Sequence, residues 1–380
     1  MKIGGTNLTN DQEWNYQCIG CGAMIQWEDP DRAGYLPESA FKKGIEEDGF
    51  YCQRCFRLRH YNELHPVEVS EEVFRDHLSS LADEEALVVK VVDIFDVEGS
   101  LISGFSRIIG KQPFVVVANK MDLLPKSVKA NRVKHWLKEC LRENGLIASE
   151  ILLLSAHKES TLHPLFDLIK TALKTKNVYL VGVTNVGKST LMNQLIRHFG
   201  GEQGVITTSN HPGTTLDKIV IPVTDQTAII DTPGIIQSHQ LAHYLDRRGV
   251  KNILPSKRIK PKTFQLNPEQ TLFLAGLAQI DFLAGDKTSF TCYVSNDLYL
   301  HRGKLAGASD FLSKHQGDLL APPYNDQRIE FPEMIAHSVF LEPNQDLAIS
   351  GLGWICVNQK VQLKVWIPKG IHFSIRQALI

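Results

Sequence analysis

The sequence predicts a mixed α/β domain that lies between a short cysteine-rich segment and a β-rich C-terminal part. Three observations predict this order: two CxxC pairs come first, strand-like and helix-like segments alternate through the middle of the chain, and short strand-like runs recur beyond it. With 380 residues, the chain can form two or three domains with a sizeable core. We place the domain boundaries at residues 1–65, 66–246 and 247–380.

The overall composition indicates where the protein acts but does not identify a partner. The formal net charge is −1 at pH 7, so any basic surface for nucleic acid must be local. The N-terminus lacks the apolar core of a signal peptide, and no apolar run reaches the length of a membrane-spanning helix. We therefore expect a cytoplasmic protein that has no membrane partner. We also expect it to act as a monomer, although nothing in the composition bears on that expectation.

Four of the seven cysteines form two pairs, Cys18 with Cys21 and Cys52 with Cys55. Two such pairs can place four thiolates tetrahedrally around one Zn²⁺, which would supply much of the folding energy of so small a segment. A redox dithiol and disulfides are the alternatives, but a reducing compartment favours metal binding. Basic side chains near the last pair form either a solvated face or an edge that faces nucleic acid. They are Arg54, Arg57, Arg59 and His60.

The middle of the chain contains the pattern of a phosphate-binding loop. An apolar run, Val178–Val181, leads into Gly182-x-x-x-x-Gly187-Lys188-Ser189, and a helical pattern follows. The glycines let backbone N–H groups turn toward a phosphate chain, and the helix N-terminus adds positive potential. Lys188 can supply charge to the β- and γ-phosphates, while the Ser189 hydroxyl can ligate Mg²⁺.

Strands and helices alternate around this loop, which predicts a parallel sheet covered by helices. We expect the chemistry at the carboxyl ends of the strands, where open α/β sheets bind ligands. Helical patterns include Val128–Glu143 and Leu162–Lys174. The candidate strands are Ala86–Val92, Pro113–Ala118, Glu150–Leu154, Val178–Val181, Ile219–Val223 and Thr227–Ile230.

Two of these strand ends carry the features of a guanine site. Asn119, Lys120 and Asp122 follow the strand Pro113–Ala118, and Asp122 can accept from the two N–H donors on the Watson–Crick edge of guanine. Adenine has no such pair of donors, so the aspartate selects guanine. Asn119 can hold the loop and touch the base, and the Lys120 stem can cover the base. After the next strand, the Ser155-Ala156 backbone can donate an N–H to guanine O6.

A further strand end carries the features of a γ-phosphate sensor. Asp231-Thr-Pro-Gly234 follows Thr227–Ile230, so that the carboxylate can reach Mg²⁺ through water and the Gly234 N–H can meet a γ-phosphate. Upstream lies a stretch ending in Thr214 and Thr215, and one of these threonines can complete the Mg²⁺ shell. Each motif alone is weak, but four of them at strand ends within one domain predict a GTP-binding domain.

The order of these motifs is unusual. Ordinary small GTPases run from the phosphate loop through the switch threonine and DxxG to NKxD and SA, whereas here NKxD and SA come first. This rotation preserves the sheet if the old chain ends are joined, and Leu162–Lys174 is long enough to join them. Whatever follows residue 246 is then attached directly to the element that senses the γ-phosphate.

With these motifs, the chain resembles the circularly permuted GTPases and most of all the YqeH family of ribosome-biogenesis GTPases. The resemblance spans nearly the whole chain, because it includes the paired CxxC motifs, the permuted order, Phe264-Gln-Leu-Asn267 and Gly351-Leu-Gly-Trp354. It implies a circularly permuted Ras-like P-loop domain, flanked by a zinc-knuckle segment and a β-rich domain that binds RNA or peptide.

The resemblance also assigns roles to single residues. Mg²⁺ falls to Ser189 and Thr215, although the sequence leaves Thr214 open as the alternative, and the catalytic set is Asn185, Lys188, Thr215, Asp231 and Gly234. Zinc falls to Cys18, Cys21, Cys52 and Cys55. Residues expected to bind GTP or GDP are Asn119, Lys120, Asp122, Ser155, Ala156, Gly182, Thr184, Asn185, Val186, Gly187, Lys188, Ser189, Thr190, Asp231 and Gly234.

The residue after DxxG bears on how GTP is hydrolysed. Ras-like enzymes place there a glutamine that orients the attacking water, whereas this chain has Ile235, so we expect slow intrinsic turnover. Asn185 matches the asparagine that helps to ligate a monovalent cation in potassium-activated GTPases. A K⁺ ion there would offset developing negative charge. The alternative is that Asn185 only ties the loop together.

The C-terminal part begins with a basic run. Seven basic residues and no acid lie between Arg247 and Lys262, which suits binding to a phosphate backbone, and a solvated linker is the alternative. The strands Thr288–Val294 and Leu298–Leu300 then flank a predicted turn at Asn296-Asp297. Four aromatic residues could stack on bases or form the core and cross-strand pairs of a sheet. They are Phe290, Tyr293, Tyr299 and Trp366.

Three functions remain at this stage. The first is a GTP-hydrolysing assembly factor that docks on ribosomal RNA of the small (30S) subunit, where the ribosome itself enters only through the resemblance. The second is a nucleotide-gated scaffold that binds protein partners and does not act on RNA. The third, a thiol redox enzyme that uses the CxxC pairs, is disfavoured by the zinc interpretation.

Overall fold

The computed structural model describes residues 16–18, 23–30, 34–41, 50–53, 55–57, 68–69, 75, 78–199, 219–232, 234–235, 237–326 and 330–380. Several residues singled out in the sequence lie outside these ranges. They are Cys21, Arg54, Arg59, His60, Thr214 and Thr215.

A six-stranded sheet forms the centre of the middle domain, with the spatial order β4-β3-β2-β5-β7-β6. Its strands are parallel except for β6, which pairs antiparallel with β7. The predicted mixed α/β fold is therefore confirmed. The strands of this part are β1 (Glu68–Val69), β2 (Ala86–Asp93), β3 (Phe114–Asn119), β4 (Glu150–Leu153), β5 (Asn177–Val181), β6 (Ile219–Pro222), β7 (Ala228–Asp231) and β8 (Gly234–Ile235).

The central strands are apolar because helices cover both faces of the sheet. Every residue of β2 and β3 is buried, as expected for parallel strands in an α/β layer. Helix α3 turns an apolar stripe toward the sheet, with Val133, Leu137 and Leu141 buried. The helices are α1 (Val97–Ser100), α2 (Phe105–Ile108), α3 (Ala130–Glu143), α4 (His163–Ala172) and α5 (Lys188–Phe199).

The order in which the chain forms the strands of this sheet differs from the order in ordinary small GTPases. In the ordinary motif order it would run from β5 through β6 and β7 to β2, β3 and β4, whereas here β2, β3 and β4 come first. Helix α4 follows β4 and leads into β5, so it makes the connection that we predicted for Leu162–Lys174. The circularly permuted arrangement is confirmed.

The C-terminal part forms two five-stranded antiparallel sheets, ordered β13-β10-β11-β19-β16 and β20-β17-β18-β12-β9. A second apolar core lies within this sandwich and includes Leu272, Ile280, Phe290 and Ile355. The strands of the C-terminal part are β9 (Lys262–Leu266), β10 (Gln270–Leu274), β11 (Ala278–Gly285), β12 (Thr288–Val294), β13 (Leu300–Lys304), β14 (Gln316–Gly317), β15 (Leu320–Tyr324), β16 (Met334–Leu341), β17 (Gln345–Ile349), β18 (Gly353–Val357), β19 (Val361–Pro368) and β20 (Phe373–Gln377), and its helices are α6 (Arg247–Ile253) and α7 (Ala308–His315). Strands β14 and β15 pair with each other outside the two five-stranded sheets.

Two details differ from the sequence prediction. The basic run begins with helix α6, whose first turn is capped by the Asp246 carboxylate accepting from Gly249 N at 2.6 Å. The turn at Asn296-Asp297 does not close a hairpin, because β12 pairs with β9 and β18 whereas β13 pairs with β10. The turn instead carries the chain from one sheet of the sandwich to the other, which lets both strands bury a face.

The predicted aromatic residues divide between core and surface. Phe290 and Tyr293 are buried, and the Tyr293 ring stacks on Trp354 with centroids 5.0 Å apart. Trp366 is half-buried and donates from Nε1 to Asp281 Oδ2 at 2.8 Å. Tyr299 is exposed. For Phe290 and Tyr293 the core interpretation is the correct one.

The short strand β1, which precedes the six-stranded sheet in the chain, pairs with β8. We call the segment from Asp231 to Ile235, which carries the predicted γ-phosphate sensor, the switch element. Strand β1 pairs in parallel with β8, so that Glu68 lies opposite Gly234 and Val69 opposite Ile235. Among the residues that the structure describes, none of the helices has the length and apolar character required to cross a lipid bilayer.

Candidate nucleotide-binding site

A cavity of about 500 Å³ lies at the carboxyl ends of β3, β4, β5 and β7. It brings together most of the residues predicted to bind nucleotide. Four others lie buried beneath its surface: Ser155, Gly182, Val186 and Asp231. Predicted residues on the cavity wall are Asn119, Lys120, Asp122, Ala156, Thr184, Asn185, Gly187, Lys188, Ser189, Thr190 and Gly234.

The loop between β5 and α5 has the conformation that its sequence requires. Asn185 and Gly187 both have positive φ angles, of 63° and 85°. A Cβ atom at position 187 would lie 2.3 Å from Asn119 Nδ2, so only glycine fits there. Thr184 N donates to Ile235 O at 2.9 Å, which ties the loop to β8. The backbone of the loop is therefore held from both sides.

Asn119 connects three loops around the cavity. Its Nδ2 donates to Val186 O at 2.9 Å, and its Oδ1 accepts from Ala156 N at 2.9 Å. The expectation that this side chain holds the loop agrees with these bonds. Both backbone N–H groups considered for guanine O6 have protein acceptors, because Ser155 N donates to Thr161 Oγ1 at 3.0 Å. A base contact from Ala156 would require its N–H to be shared or to leave Asn119.

Lys120 bridges the guanine side and the phosphate loop. Its Nζ lies 2.6 Å from Asp93 Oδ2 and also donates to Asn185 O. Sequence reasoning missed Asp93, which ends β2 and lies opposite Asn119 in the register of the sheet. The available signal was an acidic residue at the carboxyl end of a strand that is mostly apolar.

Asp122 has an oxygen with no partner. Its Oδ1 is buried and accepts no hydrogen bond within the described part of the chain, although the residue lines the cavity. Leaving a buried acceptor unsatisfied costs about 1–3 kcal/mol. A guanine base would supply the missing donors from its N1–H and its exocyclic amine. The cavity is therefore suited chemically to a ligand that presents N–H groups toward Asp122.

The phosphate side is held by a buried ion pair. Lys188 Nζ lies 2.6 Å from Asp231 Oδ1 and also donates to Thr232 O. Both side chains of the pair are almost fully buried. A phosphate arriving here would compete with Asp231 for the Lys188 ammonium, which would release the carboxylate toward a metal-bound water.

The C-terminal part also contributes to the cavity, which the sequence did not indicate. Pro255 and Ser256 line it, beside Leu123 and His157 of the permuted domain. The chain returns to this position because Ile259 N donates to Leu123 O at 2.8 Å. In the sequence this segment shows only a basic run, and no spacing or motif marks its return to the nucleotide site.

The cysteine-rich segment has the geometry of a metal site. The sulfur atoms of Cys18, Cys52 and Cys55 lie within 4.8 Å of one another, and all three residues are buried. Cys52 N donates to Cys18 Sγ at 3.2 Å, a bond that stabilises a thiolate. Four thiolates bound to zinc at about 2.3 Å would have sulfurs about 3.8 Å apart, so these three cysteines fit such an ion.

Comparisons with known proteins identify the family. Residues 287–379 match the family profile described as YqeH-like, C-terminal, and residues 177–260 match the one described as 50S ribosome-binding GTPase. The chain is 44% identical over 365 residues to the uncharacterized protein YqeH of Bacillus subtilis, covering 96% of this chain and 99% of that protein. The chain belongs to the YqeH family. It is thus a circularly permuted GTPase, as its motifs and its sheet indicate.

More distant members of the family come from eukaryotes. The chain is 30% identical to NO-associated protein 1, chloroplastic/mitochondrial, of Arabidopsis thaliana, covering 95% of this chain and 76% of that protein. It is 24% identical to human nitric oxide-associated protein 1, covering 96% and 74%. Among solved structures, the GDP-bound structure of TM YlqF covers 40% of this chain and 54% of that chain at 24% identity, and its TM-score of 0.25 is too low to support an argument.

Proposed function

We propose that this YqeH-family GTPase is a cytoplasmic, monomeric assembly factor for the small (30S) ribosomal subunit. In this proposal, the affinity of the C-terminal domain for ribosomal RNA depends on whether GTP or GDP is bound. The observation that carries the nucleotide assignment is the buried, unpartnered Oδ1 of Asp122 in a cavity that joins the other motifs.

The base side of the cavity would select guanine. Asp122 accepts from N1–H and from the exocyclic amine, while the Lys120 stem covers one face of the base. Adenine would leave Asp122 Oδ1 unsatisfied, at the cost that a buried acceptor carries. Asn119 keeps Asp122 in place through its bonds to the phosphate loop and to Ala156.

The phosphate side would neutralise the charge on the β- and γ-phosphates. Lys188 moves from Asp231 to a phosphate oxygen, and the N–H groups at the start of α5 add positive potential. Ser189 lines the cavity and would hold Mg²⁺ together with Thr215, and the Asp231 carboxylate would support the ion once Lys188 has left it. When bound, Mg²⁺ offsets the negative charge that develops on the phosphates during hydrolysis.

Intrinsic hydrolysis should be slow. Ile235 occupies the position of the water-orienting glutamine, and its buried aliphatic side chain has no group that can donate or accept a hydrogen bond. Asn185 has an exposed side chain on the cavity wall, which leaves it available to a monovalent cation. We assign K⁺ to this position, so turnover should be faster in K⁺ than in Na⁺.

Zinc would hold the N-terminal segment together. The three described thiols and Cys21 form the ligand set, and the rings of Phe41 and Phe50 stack beside it at 5.0 Å. Zinc is a structural ion in this proposal, since four thiolates leave no open position for a substrate.

A basic surface follows the switch and would bind the phosphate backbone of RNA. Six of the seven basic residues of the run are exposed, and the Arg248 guanidinium stacks on Tyr324 at 3.6 Å. Basic side chains that bind phosphates release counterions, which makes such binding strongly dependent on salt. The exposed members are Arg247, Arg248, Lys251, Lys257, Arg258 and Lys260.

Two sets of contacts can pass a movement of the switch to the sandwich. The carboxylate of Asp96, just after β2, accepts from Gln240 Nε2 at 3.0 Å and from Gly351 N at 2.8 Å. Gln240 follows the switch element, and Gly351 belongs to the sandwich. A second link is the ion pair of Arg376 with Glu98. A ligand shifts such an arrangement only through contacts that differ between the two states, here those with the γ-phosphate.

The proposal is tested by GTP turnover with and without purified ribosomal subunits, together with pelleting in GTP analogue and in GDP. We expect the small subunit to stimulate turnover and to co-sediment with the protein in a nucleotide-dependent and salt-dependent manner. Large subunits serve as the matched comparison, because one matching profile is described as 50S-binding. Binding to the large subunit alone would correct the subunit. Association with neither subunit, in either nucleotide state, would overturn the proposal in favour of the protein-binding scaffold.

A further inference from the structure

We propose that Pro255 and Ser256 are part of the guanine-nucleotide site and that Asn296 of the sandwich positions them. Binding of a guanine nucleotide and placement of the C-terminal domain are then linked on the base side, separately from the γ-phosphate. The inference rests on the proposed nucleotide site.

The two residues form a wall that the permuted domain does not supply. They line the cavity together with Asp122, Leu123 and His157, which belong to the loops after β3 and β4. Pro255 is buried and rigid, whereas Ser256 is exposed and carries a hydroxyl that can donate or accept. This composition suits contact with the base or ribose of a nucleotide.

The segment is anchored to the guanine-recognition loop. Ile259 N donates to Leu123 O at 2.8 Å, and Arg258 Nε donates to Leu124 O at 3.2 Å. The Ile259 side chain is 2% exposed and belongs to an apolar cluster that consists mainly of permuted-domain residues and also includes Tyr293 and Trp354 of the sandwich. Leu123 directly follows Asp122, so the anchor lies next to the residue that selects the base.

The same segment is anchored to the sandwich by one side chain. Asn296 Oδ1 accepts from Lys260 N at 2.8 Å, and its Nδ2 donates to Arg258 O at 2.9 Å. Lys262 Nζ adds a bond to Leu298 O at 2.9 Å. Ile259 is therefore held by the permuted domain while the residues on each side of it are held by the sandwich.

Because the segment is attached to both domains, nucleotide binding and placement of the sandwich affect each other. A nucleotide that contacts Pro255 and Ser256 restricts the segment, and a segment already restricted by Asn296 binds the nucleotide with less loss of freedom. The base and ribose are the same in GDP and GTP. The segment must therefore affect the affinity for both nucleotides equally and leave the preference between them unchanged.

The first test is Asn296→Ala in the full chain, measured as the affinity for GDP and for a non-hydrolysable GTP analogue. Loss of two hydrogen bonds that hold the segment should weaken both affinities about 5- to 10-fold, with the ratio of the two unchanged. Asn358→Ala is the matched control, because Asn358 Nδ2 bonds Ser289 Oγ at 3.1 Å elsewhere on the sandwich. Affinities equal to those of the unchanged protein, in a folded variant, would overturn the coupling.

The second test is Ser256→Trp, which fills the cavity wall and does not depend on Asn296. It should weaken both nucleotides by at least about 10-fold, whereas Ser309→Trp, on the exposed surface of α7, should not. If Asn296→Ala does not fold, Asn296→Asp takes its place in the first test, because it keeps the acceptor for Lys260 N and removes the donor to Arg258 O. Unchanged binding by Ser256→Trp would remove the wall from the site.

These outcomes are distinguishable from those of the proposed function. Weaker nucleotide binding in both variants without any association with ribosomal subunits would support the inference while the ribosomal proposal fails. Nucleotide-dependent association with subunits, together with unchanged nucleotide affinity in both variants, would do the reverse.

Discussion

The base side and the phosphate side of the cavity are built differently. On the base side, Asn119 and Lys120 already bond the phosphate loop and neighbouring strand ends, while Asp122 Oδ1 and Ser155 Oγ have no hydrogen-bond partner within the described part of the chain. On the phosphate side, Lys188 and Asp231 are bonded to each other. The N–H groups of a base can therefore bind to an Asp122 oxygen that is already free, whereas a triphosphate must exchange the Lys188–Asp231 bond for another. The base side is suited to holding the nucleotide and the phosphate side to reporting its state.

The largest effect should come from Lys188→Ala on the phosphate side. The variant removes the charge expected to meet the phosphates and leaves the buried Asp231 without its cation, which costs about 3–5 kcal/mol for a broken buried pair. We expect GTP turnover to fall at least about 100-fold, with a lower melting temperature. Steady-state turnover and thermal unfolding measure the two effects. Turnover near that of the unchanged protein would show that Lys188 stays with Asp231 throughout the reaction.

The next effect concerns the base side and is a change of specificity. Asp122→Asn replaces a carboxylate acceptor by an amide that can donate. The amide cannot accept from the exocyclic amine of guanine in that orientation, but it can donate to the carbonyl that xanthine has at the same position. We expect GDP affinity to fall about 100-fold and XDP affinity to rise. Asp225→Asn, in the exposed turn between β6 and β7, is the control. Loss of GDP binding without any gain for XDP would indicate that Asp122 has only a structural role.

A third prediction concerns Asp96, which joins the segment after the switch to the sandwich. Burial, followed by the nearby charges of Asp93 and Glu98, raises the pKa of Asp96 from 3.8 to about 7. At a pH between 3.8 and about 7, the Asp96 carboxyl is protonated in the folded chain and ionised in the unfolded chain. The contribution of Asp96 to stability is therefore greatest at low pH and falls as pH rises toward 7.

Asp96→Asn should flatten this dependence, because the amide does not titrate. Its NH₂ group would meet the Gly99 N–H in one orientation and the donors of Gln240 and Gly351 in the other, so we also expect lower stability at every pH. Urea unfolding without nucleotide at pH 5, 6 and 7 measures both effects, and Asp225→Asn again serves as the control. A slope against pH equal to that of the unchanged protein would exclude Asp96 as the titrating group.

The sequence predicted the motif residues of the cavity but not the residues that long-range contacts bring to it. Asn119, Asp122, Gly187 and Lys188 could be identified because phosphate and guanine chemistry demand these residue types at short spacings within a strand–loop unit. The permuted sheet followed from the order of the same motifs.

No motif spacing marks Pro255, Ser256 or Asp93. Their places depend on contacts between distant parts of the chain, such as Ile259 with Leu123 and Lys120 with Asp93. The Asn296-Asp297 turn shows the same limit, because local turn chemistry does not indicate which sheet receives the next strand. Long-range packing decides such positions, and a pattern of neighbouring residues carries little information about it.

The smallest effect should be seen at Asn185, where the two sides of the cavity meet. Its φ of 63° is a conformation that glycine adopts without strain, so Asn185→Gly removes the side chain and preserves the backbone. The carbonyl that accepts from Lys120 also remains. We expect turnover in K⁺ to fall a few-fold, to the rate in Na⁺, with GDP affinity unchanged. If the variant keeps a K⁺ preference, the cation binds elsewhere; if the unchanged protein shows none, Asn185 belongs to the preformed base side and only holds the loop.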